Sequence, residues 1–98
     1  MKGASILHGK DTEFAEALAI QALGHLAQDK EVLERFLSVT GLAPEKIREA
    51  AASPGFLAGV LDYMMQNEAL LLTFSVNNNI DAEAIMTAHR QLSGPIPQ

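Results

Sequence analysis

Apolar side chains recur along this chain at helical steps, and nowhere do they alternate in the two-residue rhythm of a half-buried strand. The clearest stretch is Lys30 to Thr40, where Val32, Leu33, Phe36 and Leu37 line one face at spacings of three and four. Asp29 ahead of it suits an N-cap, and Gly41 behind it suits a left-handed stop. Five more helices are predicted on similar signals. The first spans Glu13 to Gln28 behind a cap at Asp11-Thr12. A short third one is opened by Pro44 and closed by Ser53-Pro54. The fourth spans Gly55 to Gln66. The fifth, Glu68 to Asn78, is capped by Asn67 and stopped at Asn79. The sixth, Ala82 to Leu92, is capped by Asp81 and ended before Gly94-Pro95. The fold class expected is all-α: a compact six-helix globule of one domain, residues 13–92, with tails at 1–12 and 93–98.

A shift of 38 residues superposes the two halves of the pattern without a gap from Leu18 to Gln91. Leu18 meets Phe56, Ala22 meets Val60, Leu26 meets Met64 and Phe36 meets Phe74. The cap Asp29 meets Asn67, and the stop Gly41 meets Asn79. Leu42 with Ile47, and Ile80 with Ile85, each place one apolar residue before a cap and another in the first turn, a hydrophobic staple that fixes how the chain enters the helix. An internal repeat (about 13–52 and 53–92) predicts two three-helix units. A unit of about 40 residues buries too little surface to stand alone, so the two should pack about a pseudo-twofold axis.

The halves differ in one place. Glu31, Glu34, Arg35 and Ser38 form a wet stripe on the second helix; the same positions on the fifth are Ala69, Leu72, Thr73 and Val76. The fifth helix is therefore apolar almost all round, which demands cover on more than one face. Either the first half supplies that cover within one chain, or the face is an interface for a second copy or another protein. A pocket between the halves, lined by Phe56, Val60, Met64 and Phe74, would be a site for a small ligand. Gly24 and Gly59 are expected where helices approach closely.

Charge narrows the function classes. Seven Lys and Arg against 12 Asp and Glu leave a net charge of −5, which argues against nucleic acid and anionic membrane as partners. There is no cysteine, hence no thiolate nucleophile and no zinc–thiolate site. The patch Ala4 to Leu7 is too short for a secretory core of about 7–15 residues, and Asp62, Gln66, Asn67 and Glu68 interrupt the longest apolar run, so a soluble, cytoplasmic protein with no membrane span is expected. His8, His25 and His89 have no partners at metal-ligand spacing. Asp62, the lone charge of its helix, is expected to face solvent or pair with His89 or Arg90. Phe36 to Ile47 has the outline of a helix-turn-helix, but its second helix, Pro44 to Ala52, has no net charge and is rich in alanine, poorly suited to phosphates.

The segments Phe36-Leu37-x-x-Thr40-Gly41-Leu42, Pro44 with Arg48, Phe56-Leu57-Ala58-x-Val60-Leu61-Asp62 and Glu68-x-Leu70-Leu71-Leu72-x-Phe74 resemble domain of unknown function 3572, a family of small all-helical proteins found chiefly in alphaproteobacteria. The resemblance runs from about Ala15 to Pro95. It implies a bacterial cytoplasmic protein of uncharacterised role and carries no catalytic or binding residues with it; Ala43 stands where the family usually has Asp, which weakens one cap. The function expected is a non-catalytic protein–protein interaction or adaptor module, with a homodimer among the forms it could take, without cofactor or metal. The alternatives are a helix-turn-helix regulator and a helical small-ligand-binding protein.

Overall fold

The computed structural model describes the backbone of residues 2–93 and the side chains of residues 13–93. The chain forms α1 (Lys2–Ala27), α2 (Lys30–Thr40), a 3-10 turn (Pro44–Lys46) continuous with α3 (Ile47–Ala50), α4 (Pro54–Met65), α5 (Glu68–Asn78) and α6 (Ala82–Leu92), with no strand among the described residues. The all-α expectation holds, and α2, α5 and α6 have the limits that the caps and stops set. The start of α1 differs. It is helical from Lys2, so Asp11-Thr12 lies inside a helix and not at its start. No proline precedes Pro44, so no backbone donor is missing that would force the helix to break at Asp11. Residues 94–98, the greater part of the expected C-terminal tail, lie outside the described residues.

Local chemistry explains the other ends. Asp29 Oδ1 accepts from the N–H groups of Glu31 and Val32, and Asn67 Oδ1 accepts from Leu70 N–H. Gly41 and Asn79 both take the left-handed conformation, at φ of 73° and 54°. The following residue then reaches back: Leu42 N–H donates to the Leu37 carbonyl and Ile80 N–H to the Ser75 carbonyl. These are paired Schellman closures, positions that the 38-residue shift superposes. Asp81 sits at the start of α6 but makes no side-chain cap; its carbonyl accepts from Ala84 N–H instead. Ala43 likewise caps nothing.

Packing centres on α1, α4 and α6, which lie against one another, while α2 rests on α1 and α5 on α4. Ala15, Ala19 and Ala22 are fully buried on α1, and small side chains there let neighbouring helices come close. The core is filled by Leu26, Phe36, Val60, Leu61, Met64, Phe74 and Ile85, with no buried polar side chain among the described residues. Aromatic contacts cross between the halves in reciprocal fashion. The Phe36 ring meets Tyr63 edge-on at 5.2 Å, and the Phe74 ring meets His25 edge-on at 5.4 Å. Under the 38-residue shift Tyr63 is the counterpart of His25 and Phe74 that of Phe36. Each such pair adds about 0.5–1.5 kcal/mol beyond its buried area.

The third helices of the two halves differ in length. α6 runs three turns and buries Ile85, Ala88 and Leu92. Its counterpart α3 is a single turn with no fully buried residue, because Ser53 caps α4 and Pro54 opens it. The link between the halves uses the residues that a longer α3 would need.

Candidate functional site

α5 is held by its ends and by one side chain. Asn67 fixes its start; Asn78 Nδ2 donates to the Phe74 carbonyl, and the Ser75 hydroxyl donates to the Ile80 carbonyl, fixing its end. Phe74 is fully buried, while Leu70 and Leu71 are half-buried on either side. This anchoring turns Ala69, Leu72, Thr73 and Val76 outward together, and all four are exposed. Leu72 is 53% exposed and Val76 78%. Thr73 does not advertise its hydroxyl, which donates to the Ala69 carbonyl at 2.8 Å. From Ala69 to Asn79 there is no charged residue.

Of the two covers that the sequence left open, the first half does not supply its own among the described residues. α5 packs along α4 and more lightly on α6, with Phe74 buried and Leu70, Leu71, Ser75 and Asn78 half-buried. The outer apolar side chains of this helix face water, and contiguous exposed apolar surface marks an interaction site.

A shallow cleft of about 470 Å³ adjoins this face. Ala69 and Thr73 form its near wall with Leu70 and Asn77; across it stand His25, Asp29 and Val32, and Asn67 lies at the end. Both cap residues, Asp29 and Asn67, therefore edge the same depression. The floor is apolar at Val32 and Leu70, and the rim is amide, carboxylate and imidazole.

The other expected site is corrected. Val60, Met64 and Phe74 are 0% exposed, and Phe56 stacks edge-on against Phe36 at 5.8 Å. The space between the halves is filled by these side chains, so they form core and not the wall of a ligand pocket. The two glycines are corrected as well: a Cβ placed on Gly24 or Gly59 would meet no atom within 4 Å, so neither marks a close helix contact inside the chain.

Asp62 has two partners. His89 Nε2 lies 3.6 Å from Asp62 Oδ1, an ion pair when the imidazole is protonated, and Gln66 Nε2 donates to Asp62 Oδ2 at 2.8 Å. Arg90 instead reaches Thr87. No group of three His, Asp or Glu side chains gathers among the described residues. His8 belongs to the stretch whose side chains lie outside the description. The helix-turn-helix outline closes on a 3-10 turn and the single turn of α3, with Lys46 committed to Glu49 at 3.7 Å; a reading helix needs several base-contacting side chains along a groove, and one turn does not provide them.

One exposed surface escaped the sequence reading. Phe14 is 62% exposed and Ile20 50% exposed on the outer side of α1, where Ala17, Gln21, Gly24 and Ala27 are exposed too. The signal was present as the charge-free run Ala17 to Gln28, but an alanine-rich helix at the head of a domain reads as core.

The fold and this surface define a class: a small all-α protein with no helix, among the described residues, long and apolar enough to cross a membrane, and with a bare apolar helix face beside a shallow cleft. Over residues 12–95 the chain matches the family described as Protein of unknown function (DUF3572), and it belongs to that family. No curated protein and no solved structure matches it.

Proposed function

We propose that this protein is a non-catalytic interaction module whose working surface is the outer face of α5, Ala69, Leu72, Thr73 and Val76, together with the cleft beside it. The observation that carries the reading is the exposure of Leu72 and Val76 on a helix that carries no charge after Glu68 in its first turn. Burying two such side chains is worth about 1.5–3 kcal/mol each, and none of the described residues takes that gain. The concave neighbour suits the ridge of a partner helix, with Val32 and Leu70 as floor and the Asn67, Asn77 and Asp29 side chains as polar rim. The partner implied is another protein presenting an apolar helix face, which makes the module an adaptor. Its setting in this reading is the cytoplasm, where a chain without cysteine forgoes no disulfide.

The test is capture from native lysate with wild type and Leu72→Glu side by side. The expected result is a partner retained by wild type and reduced at least tenfold by the variant, with the two proteins melting within a degree or two of each other. Identical captured sets would refute the proposal. So would a Leu72→Glu protein that no longer folds, since that would make the face part of the core.

A further inference from the structure

The cleft beside α5 has a sign. Of the residues that line it, Asp29 alone carries a formal charge at pH 7. Its Oδ1 is engaged by the α2 cap, and no hydrogen bond among the described residues uses Oδ2. Glu68 stands between two lining residues, Asn67 and Ala69, and both it and Asp29 are exposed. No ion pair among the described residues includes either carboxylate. The sequence supplies little counter-charge: Lys30 beside Asp29 is offset by Glu31, and residues 49–89 contain Glu49, Asp62, Glu68, Asp81 and Glu83 but no Lys or Arg. Beyond the stop of α5, Asp81 and Glu83 share a surface depression with Arg90. The uncompensated negative charge therefore lies at the start of α5, where the cleft meets the bare apolar face.

That sign separates the candidate occupants. Two copies meeting through α5 would set Glu68 against Glu68 in a parallel pairing, or against Asp81 and Glu83 in an antiparallel one, and the one Arg at hand already stands beside those two. A phosphate-bearing surface meets the same repulsion. A helix that carries an apolar stripe and Lys or Arg beside it meets no such cost and gains at both features.

We infer that the α5 face takes a basic amphipathic helix of another protein, its apolar stripe over Leu72 and Val76 and a Lys or Arg reaching Asp29 and Glu68. About three turns of such a helix match the 11 residues of α5. The inference rests on the reading of α5 as the working surface and adds the charge of its partner.

Fluorescence anisotropy with synthetic peptides tests it. The probe is a helix of about four turns with Leu at helical spacing and Lys at its polar positions. Beside it stand a twin with Glu for every Lys and a scrambled peptide of the first one's composition. The protein is the full chain as wild type, as Leu72→Glu, and as Asp29→Asn with Glu68→Gln. The double variant removes both charges and should fold as wild type does, because Asn caps a helix as well as Asp and Asn67 already does so on α5; circular dichroism checks this. At low salt wild type should bind the Lys peptide at least about tenfold tighter than the Glu twin, with the gap narrowing at high salt. The double variant should close most of that gap, Leu72→Glu should lose the Lys peptide, and the scrambled peptide should not bind. If wild type binds the Lys and Glu peptides equally and Leu72→Glu loses both, the inference about charge is overturned and the α5 surface stands. A Lys peptide that binds Leu72→Glu as well as wild type overturns the inference and the α5 reading together. No binding of the Lys peptide to wild type overturns the inference. So does a wild-type dimer in sedimentation velocity that Leu72→Glu dissociates, which would give the face to a second copy.

Discussion

Asn79 and Gly41 do the same work with different side chains. Both are left-handed helix stops followed by a residue whose N–H reaches five positions back. Glycine adopts that conformation without steric cost, whereas a residue with a Cβ does not. Asn79→Gly should therefore raise stability by about 0.5–1 kcal/mol, and Gly41→Ala should lower it by about 1 kcal/mol. Urea denaturation of the two variants checks the pair, and equal effects of the same sign would contradict the account. Gly59 offers a cleaner case within α4. A Cβ there meets only open space, so Gly59→Ala should stabilise by about 0.5–1 kcal/mol through helix propensity alone.

At the scale of the element, the contrast between α2 and α5 decides where function can lie. The two share a cap, a Schellman stop and a buried phenylalanine, yet α2 is polar at Glu31, Glu34, Arg35 and Ser38 where α5 is not. Because Leu72 is exposed, Leu72→Glu should change folding stability by no more than about 0.5 kcal/mol. Leu61→Ala, on the fully buried face of α4, should cost about 2–5 kcal/mol. Thermal melts of the two variants separate surface from core. α3 gives the complementary lesson. Its sequence reads as a helix from Pro44 onward, but one turn of 3-10 and one of α are all that fit before Ser53 and Pro54 open α4.

At the scale of the whole molecule, the reciprocal contacts of Phe36 with Tyr63 and Phe74 with His25 tie each half to the other. Neither half buries its own phenylalanine with its own residues alone. The chain should unfold in a single cooperative step, and its one tyrosine reports on the cross-half contact directly, since there is no tryptophan. Tyrosine fluorescence and far-ultraviolet circular dichroism should give coincident urea transitions; separated midpoints would mean that the halves fold as independent units. The bare faces on α1 and α5 also belong to this scale.

Helix existence and most helix limits were legible in the order of residues, because caps, stops and apolar spacing act within a turn or two and need no partner from elsewhere in the chain. Asp29, Asn67, Gly41 and Asn79 are all of this kind. The composition of the α5 face was legible too, since it is a matter of which side chains share a helix side. What covers that face was not: burial depends on which helices meet, and only the packed structure shows that α5 rests on α4 while its outer side stays bare. The same holds for Phe56, Val60, Met64 and Phe74, an apolar set that could have lined an opening and instead fills one. It holds again for Gly24, whose freedom from any neighbour is a property of the space around α1 and not of the glycine.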